Sequence, residues 1–159
     1  MKLSFTHVLL LLFVGFSCSE EIKPTPFEYT TIFTGENSKT WKMKFVELAF
    51  DGEVVETAVD ACSTDDKFIF YANTERSFEI TTGSKKCDST PAEPSTISDS
   101  WSYNSGAATL SIIYPPLTTE GSLPFIVRDV KKGKMELEFF LNESNTASYR
   151  IHFESTDEN

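Results

Sequence analysis

The feature that most constrains the fold is a series of short segments with β-strand character, each bounded by turn residues. Within a segment, apolar and polar residues alternate or aromatic residues cluster, and no segment shows a sustained 3.6-residue apolar period with helix caps. The predicted strands are Lys39–Phe50, Lys67–Ala72, Ser77–Thr82, Ser98–Tyr103, Ala107–Tyr114, Phe125–Val130, Lys134–Leu141 and Ala147–Glu154. Turn sequences such as Asn104-Ser105-Gly106 separate neighbouring strands and favour an all-β fold built from hairpins.

Eight strands joined in order predict an antiparallel up-and-down β-barrel, because closing the meander removes both exposed sheet edges. A β-sandwich is the alternative that uses the same strands. The first strand changes its apolar phase between Phe45 and Val46, which indicates a β-bulge or a bend. The run Phe68–Tyr71 is apolar on both faces, so either its outer face is covered by the long first segment and loops or its inner face lines a ligand cavity.

The N-terminus has the features of a secretory signal peptide. Lys2 supplies the positive start, and Val8–Phe16 is apolar but shorter than the ~20 residues that a membrane span requires. Gly15 and Ser17 are small residues at the third and first positions before Cys18. We expect residues 1–17 to be removed and Cys18 to carry a lipid that attaches the protein to a membrane, although ordinary signal peptidase accepts the same site without lipidation.

The cysteine count favours lipidation, because an odd number of cysteines would leave one reactive thiol unpaired in an oxidising compartment. The chain has three cysteines, Cys18, Cys62 and Cys87, and lipid on the first leaves the other two to pair. Cys62 precedes the second predicted strand and Cys87 follows the third, so a hairpin turning at Asn73–Arg76 brings them opposite one another. We expect a structural disulfide that contributes roughly 3 kcal/mol.

Residues 18–36 are predicted to form the lipidated N-terminus and an extended tether, because Pro24 and Pro26 lack a backbone N–H and apolar periodicity is absent. The β-barrel domain is predicted to span residues 37–159. Ser19-Glu20-Glu21 resemble the acidic export tag of surface lipoproteins in Bacteroidetes-type bacteria. This resemblance implies an outer-membrane lipoprotein exposed at the cell surface; a simple acidic tether is the alternative.

Charge and residue types argue against several functional classes. The formal net charge is −10, which repels nucleic acid and anionic lipid headgroups. His152 is the one histidine after residue 17. It lies between Ile151 and Phe153 on a predicted strand, so alternation points its side chain away from the core. The sequence therefore marks no general base beside a nucleophile. One histidine and two paired cysteines do not supply a zinc site. We therefore predict no catalytic residues, no metal and no cofactor.

Asp65-Asp66, with Asp60 nearby, allow two interpretations. Carboxylate oxygens are calcium ligands, whereas an aspartate in a turn or at a strand start caps its own backbone. The capping interpretation is favoured, because such turns are the commoner use of aspartate.

A set of residues spread along the predicted strands has a characteristic spacing. Its members are Lys39-Thr40-Trp41, Cys62-Ser63-Thr64-Asp65-Asp66, Phe68, Phe70, Cys87 and Trp101. This set resembles the lipocalin-like lipoproteins of Bacteroidetes, and the resemblance covers most of residues 37–154. It implies a barrel that binds a small ligand or a lipid, without a reaction, and it implies that Arg150 on the last strand covers Trp41 by a cation–π contact.

The predicted function is that of a lipid-anchored, non-enzymatic protein of the cell envelope that binds a small apolar or amphipathic ligand in a barrel cavity. The alternative is a surface interaction module that recognises glycan or protein. The loops at 87–97 and 115–124 are expected to shape the mouth of the barrel. The predicted ligand-binding residues are Trp41, Met43, Phe68, Phe70, Trp101, Tyr103 and Phe139.

Overall fold

The structure is a computed structural model that describes residues 26–58, 62–85, 95–118 and 120–157, with side chains described from residue 29 onward. The helices in these ranges are α1 (Pro26–Thr34) and the short 3₁₀ helix Ser63–Asp65. The strands are β1 (Ser38–Phe50), β2 (Glu53–Ala58), β3 (Lys67–Tyr71), β4 (Ser77–Thr81), β5 (Thr96–Ser100), β6 (Ser102–Asn104), β7 (Thr109–Ile112), β8 (Leu123–Lys131), β9 (Lys134–Phe140) and β10 (Ala147–Ser155).

All of these strands belong to one antiparallel sheet that curves into a barrel. Neighbouring strands follow the order β5, β4, β3, β1, β10, β9, β8, β7, β6, and β2 pairs with β1 outside this order. β5 and β6 stand at the two ends of the order, yet Trp101 alone separates them in the chain. They are the two halves of one bent strand, so the ends of the sheet meet there. The predicted eight-stranded antiparallel up-and-down barrel is confirmed, and a single curved sheet excludes the β-sandwich.

Alternation along each strand divides the side chains between the barrel interior and its outer face. On β10, Ile151 and Phe153 are 1% and 3% exposed and belong to the core, whereas Arg150 and His152 point outward. β9 repeats the pattern, with Leu137 in the core. The interior is filled mainly by aromatic and branched aliphatic side chains, which accounts for the strong β-strand signal in the sequence.

The predicted irregularity in β1 is a β-bulge centred on Lys44. The pairing between β1 and β10 shifts register between Met43 and Phe45, one or two residues before the predicted position. Met43 therefore points inward before the bulge and Val46 points inward after it. Phe45 turns to the outer face, where its ring stacks on His152 with the ring centres 4.2 Å apart.

β2 is a strand that the sequence analysis did not predict. Asp51 and Gly52 form a two-residue turn with φ values of 49° and 84°, the type I′ geometry of tight β-hairpins. All six residues of β2 are exposed. β3 pairs with β1 as far as Trp41, and β2 pairs with β1 from Val46 to Phe50. The β1–β2 hairpin therefore projects beyond the β1–β3 pairing and lengthens one end of the barrel.

Residues 26–34 form α1, so the prediction of an extended tether is wrong for this stretch. The helix ends at Gly35, which has a φ of 62° and donates its N–H to the Thr31 carbonyl at 2.7 Å. Phe33 near the end of α1 is fully buried, and burying this ring favours the helix although threonine is a poor helix former. The folded unit therefore includes residues that precede the predicted boundary at Asn37.

Phe33 closes one end of the barrel, which we call the closed end. Its ring meets Trp101 at 6.1 Å and Tyr103 at 5.2 Å in edge-to-face contacts. The Trp41 indole N–H donates to the Phe33 carbonyl at 2.9 Å, and the Trp101 indole N–H donates to the Tyr71 carbonyl at 3.2 Å. The opposite end, which carries the β1–β2 hairpin, is called the mouth.

The outer face contains a buried carboxylate that supports the mouth. Glu138 is 1% exposed; its two oxygens bind Arg128 and Arg150 and accept the Ser148 hydroxyl at 2.7 Å. Burial alone raises the pKa of Glu138, but these hydrogen bonds outweigh it and hold the pKa below its usual value. Arg150 also donates to the Gly52 carbonyl at 3.3 Å, so the cluster ties the β1–β2 hairpin to β9 and β10.

Asp65 and Asp66 hold the chain that follows β4. Asp65 accepts the N–H of Ser84 at 2.8 Å and of Lys85 at 3.2 Å, and Asp66 accepts the N–H of Gly83 at 2.9 Å. Burial acts to raise the pKa of Asp65, and the hydrogen bonds from Lys85 and Ser84 outweigh it and lower that pKa. Both carboxylates bind backbone groups, as capping requires, but the Gly83, Ser84 and Lys85 groups lie 17–20 residues further along the chain and not in the aspartates' own turn.

Candidate binding site at the barrel mouth

The structure brings the seven predicted ligand-binding residues together in and around the core. Met43 and four of the aromatic residues are at most 3% exposed, and Tyr103 and Phe139 are partly buried against them. Phe70 packs on Trp101 at 5.9 Å between ring centres, and Phe68 packs edge-to-face on Phe153 at 5.1 Å. These aromatic rings contact one another, so they fill the part of the barrel interior in which they lie. Of the seven, Met43 reaches the groove at the mouth.

The predicted contact between Arg150 and Trp41 is wrong. Arg150 lies on the outer face with Glu138, while the Trp41 ring is inside the barrel. The cation over Trp41 is Lys39, whose Nζ lies 4.4 Å from the ring centre. Lys39 is 7% exposed and donates to the carbonyls of Ile32 and Lys132; burial lowers the pKa of its ammonium. Lys39 seals the closed end beside α1.

A groove of about 180 Å³ opens at the mouth, and its described lining residues are uncharged. One wall is the inner face of β1 and β10, and the other is the turn after β7, where Leu117 donates its N–H to the Tyr114 carbonyl at 2.9 Å. The Tyr114 hydroxyl lies 3.4 Å from the Met43 sulfur and forms part of the groove floor with it. The lining residues are Met43, Val46, Ala58, Ser63, Tyr114, Pro116, Leu117, Tyr149 and Ile151.

An apolar surface, which we call the ramp, continues from the groove to the tip of the β1–β2 hairpin. It consists of Val46, Leu48 and Phe50 on β1 with Tyr149 and Ala147 on β10. Leu48 pairs with Tyr149 and Phe50 pairs with Ala147, so these side chains share the inner face of the sheet. Val46 and Leu48 are partly buried, and Phe50 at the tip is 53% exposed. The ramp gives an apolar ligand a continuous path into the groove.

A second groove, of about 250 Å³, lies on the outer face and has a different character. Its lining mixes the charged side chains of Lys44, Asp129, Glu136 and Glu154 with His152. Lys44 and Glu154 form an ion pair at 2.9 Å. We therefore regard this groove as a charged surface depression and the mouth groove as the candidate binding site.

His152 lies on the outer face, as the alternation predicts, with its side chain 23% exposed. Its Nε2 is 3.2 Å from a Glu47 oxygen and its Nδ1 is 4.0 Å from a Glu136 oxygen. Within the described ranges, no group of three or more histidine, cysteine, aspartate or glutamate residues is arranged to hold a metal ion.

Several predictions fall on residues outside the described ranges. The signal peptide, Cys18, Cys87 and most of the loop at 87–97 are among them. Cys62 is disulfide-bonded, and its pairing with Cys87 stays a prediction. No helix in the described part of the chain is both long and apolar enough to cross a membrane.

The fold and the groove define the class of this protein as an antiparallel up-and-down β-barrel with one sealed end and an apolar mouth. No protein-family model matches the chain, and no curated protein matches it significantly. The resemblance to the lipocalin-like lipoproteins therefore stays a prediction, carried by the residues given above.

Proposed function

We propose that this protein is a lipid-anchored, non-enzymatic protein of the cell envelope that binds a small apolar or amphipathic ligand at the mouth of its barrel. The observation that carries the proposal is the groove between Tyr149 on β10 and Leu117, with its uncharged described lining, continued by the ramp. Its volume is about 180 Å³, and a dry cavity of ~150 Å³ holds one benzene molecule. The groove thus has room for one ring or a short chain segment, while the ramp supports the rest of the ligand.

The arrangement of the two ends supports this proposal. The closed end is filled by Phe33, Trp41 and Trp101, so a ligand enters from the mouth. α1 is the first described element and packs at the closed end. If the proposed lipid on Cys18 holds the protein at the outer membrane, the mouth is at the other end of the barrel from the attached N-terminal segment.

Native mass spectrometry tests the binding. The full chain is exported with Cys18→Ser, so that no lipid is attached, and is analysed before and after denaturation and after exposure to a lipid extract. We expect one small molecule per chain, released on denaturation. Leu117→Trp should reduce uptake at least tenfold, because the larger ring fills the groove.

The matched control for this variant is Ile69→Trp, which adds the same ring on the outer face of β3. Uptake by the control and loss in Leu117→Trp support the mouth as the site. No uptake by the unsubstituted chain, or equal uptake by both variants, would reject it.

The lipid anchor has its own test. Cells given an alkyne-tagged fatty acid should label the full chain, and Cys18→Ser should abolish the label and release the protein from the membrane fraction. Ser17→Thr is the matched control that keeps the cysteine. Labelling that survives Cys18→Ser would contradict the anchor.

A surface interaction module remains the second candidate, and one observation favours it. Val54 and Val55 on β2 are 46% and 62% exposed, and among the described residues β2 pairs with β1 alone. An exposed strand edge can bind an extended peptide. Peptide and glycan arrays probed with the full chain and with Val55→Lys would test this, because binding lost in the variant would support a partner at β2.

A further inference from the structure

A pair of carboxylates borders the ramp on the β2 side. Glu56 pairs with Leu48 and Glu53 pairs with Phe50 across the β1–β2 hairpin. Directly opposed residues of an antiparallel pair share a face of the sheet, so both side chains lie on the same face as the ramp. Ala58, which lines the groove, pairs with Val46 and continues the same row.

The mouth therefore has an apolar centre with acid on one side. The ramp covers four residue steps from Val46 to Phe50, or roughly 13 Å of strand. Both glutamates are exposed, and the described residues that line the groove are uncharged. Asp51 in the hairpin turn adds a third exposed acid at the tip.

Among the described residues, no cation forms an ion pair with Glu53 or Glu56. Arg150 contacts the Gly52 carbonyl, but it lies on the outer face of the sheet and is bound to Glu138. A positive group on a bound ligand would therefore be attracted to the two carboxylates, whereas an anionic headgroup would be repelled.

We propose that the ligand of the mouth is a cationic amphiphile whose apolar chain lies on the ramp, with its end in the groove, and whose positive group lies beside Glu53 and Glu56. This assignment rests on the ligand binding proposed above and specifies the chemical class of that ligand. Two carboxylates beside the apolar chain of the ligand favour a cationic headgroup over a neutral or an anionic one. Burial of the chain holds the headgroup next to Glu53 and Glu56.

Isothermal titration calorimetry with three probes of equal chain length tests this selection. The full chain with Cys18→Ser is titrated with decyltrimethylammonium, decyl maltoside and decyl sulfate, each below its micelle-forming concentration. We expect the cationic probe to bind about tenfold more tightly than the neutral probe, and the sulfate most weakly. High salt should reduce the preference by screening the exposed carboxylates.

Glu53→Gln/Glu56→Gln should bring the cationic probe to the affinity of the maltoside. Glu36→Gln/Glu75→Gln is the matched control, since it removes two exposed acids near the closed end and leaves the same net charge. If all three probes bind the unsubstituted chain equally, or if both double variants lose the preference equally, the charge selection is overturned while ligand binding stands. If no probe binds, the proposed ligand binding itself fails, and the charge selection fails with it.

Discussion

The closed end and the mouth of this barrel differ in how far their large apolar residues are exposed to solvent. At the closed end, Trp41 and Trp101 are at most 2% exposed and both indole N–H groups are hydrogen-bonded to backbone carbonyls. At the mouth, Phe50 is 53% exposed and Tyr149 borders an open groove. Packing at the closed end thus stabilises the barrel, and the mouth is left available for binding.

The largest expected loss of stability is at the closed end. Trp101→Ala removes a fully buried ring that contacts Phe33 and Phe70, and we expect it to lower the free energy of unfolding by about 3–5 kcal/mol. Tyr149→Ala at the mouth should cost less than half of that, because its ring is partly exposed. Urea unfolding followed by circular dichroism measures both, and equal losses would break the contrast between the two ends.

The next effect concerns the support of the mouth on the outer face. Glu138→Gln leaves Arg128 and Arg150 without their carboxylate and should cost about 1–3 kcal/mol at neutral pH. The pKa of Glu138 is lowered in the folded state, so its contribution is complete above the unfolded-state pKa of ~4.3 and is lost as the pH falls through the folded-state pKa. The difference between the two proteins should therefore shrink in acid. A constant difference from pH 7 to pH 3 would contradict this account.

A smaller effect is expected where the chain after β4 meets the 3₁₀ helix. A Cβ at Gly83 would lie 2.0 Å from the Asp65 carboxyl carbon, so Gly83→Ala must displace that carboxylate from its hydrogen bonds with Ser84 and Lys85. We expect a loss of about 1–2 kcal/mol. Asp65→Ala/Gly83→Ala should be no less stable than Asp65→Ala alone. Fully additive losses in this double-mutant cycle would rule out the displacement mechanism.

The smallest change in stability is expected on the ramp. Phe50→Ser should alter the free energy of unfolding by less than about 0.5 kcal/mol, because its ring is already half exposed. The same substitution should weaken binding of decyl maltoside several-fold, since it interrupts the apolar path to the groove. A stable variant with unchanged binding would show that the ramp is not used.

Most of the barrel could be predicted from the sequence because its strands alternate between a buried and an exposed face. β2 could not be found in that way, since all six of its residues are exposed and carry no burial period. Its signal was local: Asp51-Gly52 directly after an apolar strand is a strong hairpin sequence. α1 was missed because Pro26, the preceding Pro24 and the threonines of this stretch indicate extended chain. The helix is favoured by the burial of Phe33, which is a tertiary contact. Gly35 was the available sign of a helix end.

The candidate site was harder to predict than the fold. Selecting large aromatic residues identified the core, since rings such as Phe70 and Trp101 pack best where water is excluded. The groove lies instead beside medium-sized residues, among them Val46 on β1 and Leu117 in a turn. Their meeting depends on the Lys44 bulge, which the change of apolar phase in β1 indicates, and on the path of the chain after β7, which no local pattern encodes.

The pairing of the first strand of the barrel with its last also bears on the order of folding. Trp41 pairs with Ser155, so the contact that completes the sheet joins residues separated by nearly the whole length of the domain. Contacts of such long sequence separation form slowly, because loop-closure entropy must be overcome before they contribute. A chain with this topology cannot complete its barrel until its last strand has been synthesised. If the proposed export takes place, a chain that completes its barrel late stays able for longer to pass through a narrow translocation channel.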